Sequence, residues 1–173
     1  AAATITTQAA EKIYRALAKG GTISTRLTVA RGARAEWLPQ ETMLFDGARA
    51  TIRLGVELAE DARFIGWDMT QLGRTASGER FASGRVHQTL ELVRGDAMLW
   101  CERAVLDGGS RALQAGAILD GAPVFGTMIA AGADVDDGVL AVCRAASPAS
   151  GVGAVTRLPL LLIARYRGGC AHA

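Results

Sequence analysis

Carboxylate side chains are the main chemical resource of a motif-rich stretch that runs from residue 36 to residue 85. Four of its acids, each beside a glycine, a proline or a turn, are Glu41, Asp46, Asp68 and Glu79. One interpretation is structural, since acids at such positions cap turns and pair with arginines, as Asp46 could with Arg49. The chemical interpretation is a general acid and base pair, but nothing in the spacing holds two of these acids at a catalytic separation.

The segment GRTASGER at 73–80 has the glycine spacing of a phosphate-binding loop, GxxxxGK followed by Ser or Thr. Glu79 stands at the lysine position, where a carboxylate repels phosphate, and Arg80 replaces the hydroxyl that binds magnesium. The segment therefore argues against a nucleotide site. The chain also carries none of the HExxH, GxSxG or GxGxxG motifs of zinc proteases, serine hydrolases and dinucleotide-binding enzymes.

Histidine and cysteine, the usual ligands of transition metals, are scarce and scattered. His87 lies on the polar face of its strand, so we interpret it as a surface residue, with a transient metal contact as the alternative. Cys170 and His172 supply only two ligands, too few to close a tetrahedral site, which favours an unstructured terminus. We expect Cys101 and Cys143 to behave as small core hydrophobes.

Composition limits the class of protein. The 173 residues fit one domain, and half of them are apolar although only 5% are aromatic, so the core must be built mainly from aliphatic side chains. A net charge of +2 with no basic block provides no footprint for nucleic acid or for a membrane surface. The isolated cysteines indicate a reducing compartment, and we expect a cytoplasmic protein. The longest aliphatic run, at 160–164, is far too short to cross a bilayer.

The elements that must position these residues are mostly strands, because apolar and polar residues alternate through the first hundred positions. Ile23, Leu27 and Val29 share one face of the first clear strand. Further strands are predicted at 50–58, 62–69, 85–93 and 98–106. Glycine-containing turn signals separate them at 31–32, 46–47, 95–96 and 107–109.

The last third of the chain changes character. Asp134 is placed to cap a helix over residues 135–146, which ends before Pro148. The apolar face predicted for this helix consists of Val135, Val139, Val142, Cys143 and Ala146. A closing strand is predicted at 158–166, so the chain reads as mainly β with helix only towards its end.

Three similar segments suggest an internal repeat of about 30 residues. They are VARGARAEW at 29–37, LAEDARFIGW at 58–67 and VRGDAMLW at 93–100. Each consists of an aliphatic residue, a polar turn, an alanine and a strand that ends in tryptophan. Such units indicate stacked coils, in which each layer buries its apolar face against the next. An ordinary meander of strands is the alternative.

Two segments, LPQETMLFDGAR at 38–49 and GRTASGERFASGR at 73–85, resemble the most characteristic motifs of the UreD family of urease accessory proteins. TTQAAEKIYRA at 6–16 is similar to a third family segment, with Glu11 where a small residue is usual. The similarity continues through GWDMTQLGR at 66–74, ERAVLDGG at 102–109 and APVFGTM at 122–128. Family members usually carry more chain before and after these segments. We therefore expect residues 1–173 to form a single UreD-like domain that is incomplete at both ends.

The resemblance implies a mainly β fold of stacked or coiled strands, β-helix-like or sandwich-like, with one or two short helices near the C-terminal third. It also implies a protein that is not an enzyme and that helps to assemble the nickel centre of urease. Family members bind the accessory protein UreF, which recruits the GTPase UreG, and the complex docks on apo-urease and supports GTP-dependent nickel insertion. No tightly bound cofactor is expected, only nickel in transit, and neither nucleic acid nor a membrane is expected as a partner.

An internal passage that guides the nickel ion is a further implication of the resemblance. Such a passage must bind nickel weakly enough to release it, so sparse carboxylates and water suit it better than several His and Cys ligands. The candidates for lining or opening the passage are Glu41, Asp46, Asp68 and Glu79. The candidates for partner contact or for holding the turns are Trp67, Arg80, Phe81 and Arg85.

Two other classes of protein remain as alternatives. One is a β-rich hydrolase or lyase that uses an Asp/Glu pair with Arg74 or Arg80 as an anion clamp. It predicts a closed concavity with one carboxylate of raised pKa, whereas a scaffold predicts an open channel or a broad apolar partner surface. The other is a purely structural β-solenoid, which would need more regular repeats than these.

Overall fold

The computed structural model describes residues 1–171, which fold into two β-sheets with two short α-helices. The strands are β1 Ala2–Ile5, β2 Glu11–Ile13, β3 Gly21–Val29, β4 Arg34–Trp37, β5 Thr42–Leu44, β6 Arg49–Leu58, β7 Arg63–Leu72, β8 Arg85–Arg94, β9 Ala97–Asp107, β10 Val124–Ala131, β11 Val152–Leu158 and β12 Leu161–Gly168. The helices are α1 Arg111–Gln114 and α2 Asp137–Ala145. The prediction of a mainly β fold with short helices near the C-terminal third is confirmed. In the part of the chain described, no helix has the length and hydrophobicity needed to cross a membrane.

The chain winds between the two sheets as a coil. The larger sheet has the strand order β1-β4-β7-β10-β12-β11, with β5 paired to β7 and β2 to β5, and the smaller has the order β3-β6-β8-β9. β1, β4 and β7 are parallel neighbours in one sheet, as are β3, β6 and β8 in the other. Each sheet is therefore revisited after about 30 residues, as in a solenoid. The stacked-coil interpretation is confirmed for the part of the chain from β1 to β8.

The alternation of buried and exposed residues along the strands fixes the register of the coil. In β6, which fills the strand predicted at 50–58, Leu54, Val56 and Leu58 are buried whereas Arg53 and Glu57 are exposed. Residues of the same kind stack on successive turns of the coil, because Val29 of β3 is the register partner of Leu58 of β6. A shift by one residue would turn the whole apolar set towards solvent, so the buried face specifies a single pairing.

The third copy of the proposed repeat does not form a coil turn. After β8 the chain reverses at Gly95 and Asp96 and returns as β9, antiparallel to β8 in the same sheet. The reason is a two-residue hairpin turn, for which the positive φ of Gly95 is suited. Trp100 therefore lies in the smaller sheet, whereas Trp37 and Trp67 lie in the larger one.

The predicted helix is present but begins later and buries a different face. Asp136, not Asp134, caps α2, and its carboxylate accepts a hydrogen bond from the amide of Val139 at 2.8 Å. Asp134 instead accepts from the turn between β11 and β12. Leu140 is the buried residue of α2, whereas Val139 and Val142 are exposed. The helix packs mainly on β11, and only a narrow stripe of it is covered.

The predicted closing strand is one arm of a hairpin. β12 occupies its place, and β11 precedes it as an antiparallel neighbour. The pattern of β11 did not predict a strand because nearly all its residues are exposed at the edge of the larger sheet. The aliphatic run of β12, by contrast, is buried at Leu161, Leu162 and Ile163.

Two hydrophobic clusters occupy the opposite ends of the space between the sheets. The first includes Leu54, Val56, Phe64, Leu90, Leu92, Ile129 and Ile163. The second includes Leu44, Ala50, Leu72, Phe81, Val86 and Leu106. Strands β6, β7 and β8 contribute to both clusters. The stretch of interior between them is therefore a distinct layer.

Candidate functional site

That layer is polar. It consists of five inward-facing residues, here called the polar belt, which are Asp68 and Thr70 of β7, Thr127 of β10, Gln88 of β8 and Glu102 of β9. Thr70 is 1% exposed, and Gln88 and Thr127 are each 9% exposed. The amide of Gln88 donates a hydrogen bond to the Thr70 hydroxyl at 2.7 Å across the interior. Two of the buried polar groups thus satisfy each other.

Strand alternation places the belt between the hydrophobic clusters. The side chains that point inward from β7 run from Phe64 in the first cluster, through Asp68 and Thr70, to Leu72 in the second. The same strand thus supplies both apolar ends and two residues of the polar middle. A shift of register would be needed to move Asp68 to the surface, and the buried neighbours oppose it.

A cavity of about 40 Å³ lies within the belt, lined by all five belt residues and by apolar neighbours such as Phe125. This volume suits about one water molecule. Asp68 is half-buried, and desolvation of its carboxyl group, together with a smaller effect of the Glu102 carboxylate, raises its pKa to about 6. Asp68 therefore exchanges its proton much closer to neutral pH than an exposed aspartate does.

An arginine connects the two sheets beside the belt. Asp68, Thr127 and Arg165 are register partners on β7, β10 and β12, so they form one row across the larger sheet. The guanidinium of Arg165 donates to both carboxylate oxygens of Glu102, each at 3.0 Å, and lies 5.9 Å from the centroid of the Trp100 ring. This bidentate pair orients the carboxylate of Glu102, whose side chain is only partly buried.

A second cavity, of about 180 Å³, adjoins the first and is more open to solvent. The two cavities share Glu102, Phe125, Gly126 and Thr127 in their walls, and the second is also lined by Arg165. The pair between Arg165 and Glu102 therefore stands at the boundary between the smaller and the larger cavity. A small cation could be held here by oxygen atoms, with the arginine as its competitor for Glu102.

Asp46, one of the predicted site residues, binds backbone at a corner of the coil. Its Oδ1 accepts hydrogen bonds from the amides of Ala82 and Ser83 and from the Ser83 hydroxyl, at 3.1, 2.8 and 2.9 Å. Its Oδ2 accepts from Arg15 at 2.6 Å. The bond from the Ser83 hydroxyl is the largest of the causes that lower the pKa of Asp46. The expected pairing with Arg49 is wrong, because Arg49 is exposed on β6 and the partner is Arg15.

On the next coil turn, Glu79 likewise binds a backbone amide and an arginine. Its Oε1 accepts from the amide of Asp46 at 2.9 Å, and its Oε2 accepts from Nε and Nη2 of Arg74 at 2.8 and 2.5 Å. The Asp46 amide, and then Arg74, lower the pKa of Glu79. The segment with phosphate-loop spacing is therefore a coil corner held by its own ion pair.

Three other predicted residues lie at contacts between coil turns or in the core. The Glu41 carbonyl accepts a hydrogen bond from the amide of Glu11 at 3.0 Å. The indole of Trp67 donates to the carbonyl of Pro39 at 2.9 Å. Phe81 is 5% exposed and belongs to the second hydrophobic cluster.

The two predicted arginines occupy different surroundings. Arg80 is exposed beside a surface cavity of about 520 Å³. Arg85 forms a bidentate pair with Asp107, with N–O distances of 2.5 and 2.9 Å, which ties β8 to β9. This pair raises the pKa of Arg85 and lowers the pKa of Asp107. Of the four predicted acids, the structure brings Asp46 and Glu79 together and places Asp68 apart from them in the belt.

Most of the histidine and cysteine residues within 1–171 are exposed. His87 is exposed on β8, as expected. Cys101 is exposed on β9, because alternation turns its neighbour Glu102 inward, and Cys143 is half-buried; the prediction that both cysteines are core residues is wrong. His172 lies outside the described residues. Within residues 1–171, no cluster of three or more His, Cys, Asp or Glu residues is placed to hold a metal ion.

The residues that sequence reasoning missed are Glu102, Arg165, Thr70, Gln88 and Thr127. The signal that could have revealed some of them is a polar residue at an inward position of an alternating strand. Glu102 follows Trp100 and precedes Ala104 at such a position of β9. Buried polar residues are more informative than exposed ones for this reason.

Comparison with known proteins identifies relatives. The family model described as UreD urease accessory protein matches residues 1–173. A protein named urease accessory protein UreD from Nitrosococcus oceani is 42% identical over 166 residues, which are 96% of this chain and 56% of the relative. Its namesake in Azoarcus sp. is 40% identical, with 96% and 58% covered, and that in Dechloromonas aromatica is 42% identical, with 99% and 61% covered. The chain therefore spans somewhat more than half the length of these relatives.

Proposed function

The chain belongs to the UreD family of urease accessory proteins, and from this membership we propose that it is a non-enzymatic scaffold in the maturation of urease. In this role it binds the accessory protein UreF, which recruits the GTPase UreG. The assembly docks on apo-urease in the cytoplasm and inserts nickel with the aid of GTP. Nickel is then cargo in transit and not a resident cofactor.

The observation that carries the proposal is the polar belt. A solenoid with a purely structural role has no need of an ionisable group between its sheets, because burial of a carboxyl group costs stability. Asp68 nevertheless occupies an inward position beside Glu102 and a cavity. A route for a cation through the interior gives these two carboxyl groups a purpose.

The donors of the belt suit a transit site. Carboxylate, hydroxyl and amide oxygens hold nickel less firmly than a set of imidazole and thiolate ligands would. A cavity of about 40 Å³ has no room for a cation with a full shell of water. The ion would exchange water for oxygens of Asp68, Glu102 and Thr127 as it passes.

Arg165 controls the availability of Glu102 in this proposal. Its guanidinium donates to both oxygens of that carboxylate, so it competes with a cation for Glu102. Among the other predicted acids, Asp46 and Glu79 hold coil corners, and Glu41 stays a candidate for an entrance.

A hydrolase or lyase is the less well supported function. The raised pKa of Asp68 is a feature that such an enzyme was expected to show. The cavity beside it is, however, far smaller than the roughly 300–1,000 Å³ that small-molecule sites occupy. Arg74, one of the arginines suggested as an anion clamp, is engaged with Glu79. Both observations favour the scaffold.

The test is co-expression of the protein with urease and the other accessory proteins, followed by measurement of nickel bound to purified urease. Asp68→Ala and Glu102→Gln should each leave urease largely without nickel. Asp96→Ala, at the tip of the β8–β9 hairpin, is the matched control, because it removes an exposed carboxylate far from the belt. Full nickel loading in both belt variants would refute the passage, and co-purification with UreF would separate a lost passage from lost assembly.

A further inference from the structure

A hollow of about 300 Å³ lies on the outer face of the smaller sheet, opposite the polar belt. It is lined mainly by polar and charged side chains, among them Arg26, Arg53, Thr89, Glu91 and Arg103. Alternation along β6 turns Arg53 outward and its neighbour Leu54 into the core. The hollow therefore lies across the smaller sheet from the belt, and Thr89 lines both spaces.

Strand register places the three arginines around one point. Arg53, Thr89 and Arg103 are partners in one row across β6, β8 and β9. Since neighbouring strands lie about 4.8 Å apart, the backbones that carry Arg53 and Arg103 are roughly 10 Å apart on either side of Thr89. Arg26 of β3 lies in the next row, beside Gly55.

Two of these arginines have guanidinium groups available for a ligand. Arg103 is engaged with Glu91, at an N–O distance of 3.0 Å. Within residues 1–171, Arg26 and Arg53 form neither an ion pair nor a side-chain hydrogen bond. The hollow thus carries positive charge in excess, in the form of planar groups that bind carboxylates in a bidentate manner.

Gly55, at the base of the hollow, has no local reason to be glycine. Its φ is not positive, and a Cβ added there would meet nothing within 4 Å. Gly66 of β7 is different, because a Cβ there would collide with Phe64 and Trp37. A glycine inside a strand weakens the strand and commonly marks a place where a ligand or another backbone approaches closely. Here it keeps the floor of the hollow at the level of the backbone.

We propose that this hollow is a docking site for an acidic segment of a protein partner, whose carboxylates are bound by Arg26 and Arg53. The open form of the hollow, its extent over two rows of the sheet and the hydroxyl groups of Ser24 and Thr89 in its wall suit an extended chain. The inference goes beyond the proposed passage and does not depend on it.

The test measures binding of a fluorescent peptide of alternating Glu and Gly to the protein at low ionic strength. The double variant Arg26→Glu, Arg53→Glu should weaken binding by about tenfold or more, because two attractive charges become repulsive. Gly55→Thr, which fills the floor with a strand-favouring residue and leaves the charge unchanged, should also weaken it. The matched control is Arg34→Glu, Arg63→Glu, an equal change of charge at exposed positions of the larger sheet. Thermal melts verify that each variant is folded.

Loss of binding in the hollow variants, with binding retained in the control, supports the proposal. Equal loss in the control variant would overturn it, since general charge would then account for the affinity. Failure of the wild-type protein to bind the peptide would overturn it as well. Tight binding of inorganic phosphate that displaces the peptide would make the hollow a small-anion site and also overturn it.

Discussion

Asp68 makes the stability of the protein depend on pH in an unusual direction. The pKa of this carboxyl group rises from its ordinary value of 3.8 to about 6 on folding, so the folded state binds more protons in that window. Stability contributed by this group is therefore greatest below pH 4 and falls as the pH rises through 6. The full penalty at neutral pH is on the order of 1–3 kcal/mol.

Asp68→Asn should consequently stabilise the protein at pH 7. The substitution keeps the shape of the side chain but removes the ionisation, so the gain should be on the order of 1–3 kcal/mol at pH 7 and should vanish near pH 4. Denaturant unfolding of both proteins across this range measures the difference. Equal stability at both pH values would contradict the assignment of Asp68 to a desolvated position. A more stable variant that no longer delivers nickel would indicate that the carboxyl group serves function at the expense of the fold.

Asp46→Ala should destabilise the protein, because the amides of Ala82 and Ser83 lose their acceptor. The effect should appear as a lower melting temperature at pH 7. It should diminish as the pH falls through the depressed folded-state pKa of Asp46, since protonation already removes the charge. Asp96→Ala, which removes an exposed carboxylate, is the control and should leave the melting temperature nearly unchanged. Equal melting temperatures of the Asp46→Ala and Asp96→Ala proteins would refute the structural role of Asp46.

Sequence could indicate which residues are unusual but not which of them meet. Asp68 was recognisable because it stands within a distinctive motif. Glu102, its partner in the belt, lies outside that stretch on a strand of the other sheet. Their proximity depends on how β9 packs against β7, which no local pattern encodes. The same holds for Arg165, whose contact with Glu102 joins residues 63 positions apart.

Strand geometry also decides which glycines can be replaced. Gly66→Ala should destabilise the protein by about 1–3 kcal/mol, because the added Cβ would lie 2.6 Å from Cζ of Phe64 and 3.0 Å from the carbonyl oxygen of Trp37. Gly55→Ala, also within a strand, meets no atom and should stabilise the protein by up to about 1 kcal/mol. Chemical denaturation of the two variants makes the comparison. A similar loss in both would show that strand propensity and not space governs these positions.

Individual elements were more predictable than the way in which they connect. The alternation of β6 was sufficient to predict its buried face, since one side of the strand is covered and the other is not. Gly95 and Asp96 were recognisable as a turn, but a turn signal does not say whether the chain crosses to the other sheet or reverses beside β8. At the start of α2, Asp134 and Asp136 are both good N-caps, and the choice between them depends on the amide of Leu160.

At the scale of the whole molecule, the belt divides one interior into two hydrophobic clusters. The variant Thr70→Val, Gln88→Leu would join those clusters with apolar side chains of similar size. Because both partners of the 2.7 Å hydrogen bond are removed together, neither is left buried without the other, and the melting temperature should change little. Under the proposed function the same variant should fail to deliver nickel to co-expressed urease. Thr22→Val, at an exposed position of β3, is the control for delivery.

Normal nickel delivery by a folded Thr70→Val, Gln88→Leu protein would exclude the belt as the route. A large loss of stability would show instead that the hydrogen bond between these residues has a structural role. The melting temperature and the nickel delivered to urease together distinguish a variant whose passage is closed from one whose fold is destabilised.

Under the proposed function, the net charge of the belt accounts for the attraction of a divalent cation without its retention. With Asp68 ionised, the two carboxylates and the guanidinium of Arg165 leave the region with one net negative charge. A divalent ion that entered would reverse that sign, so the electrostatic well is shallow. Once Asp68 takes up a proton near pH 6, the region is neutral and the attraction disappears. Under that function, the interior would attract cations at neutral pH and would not attract them in mild acid.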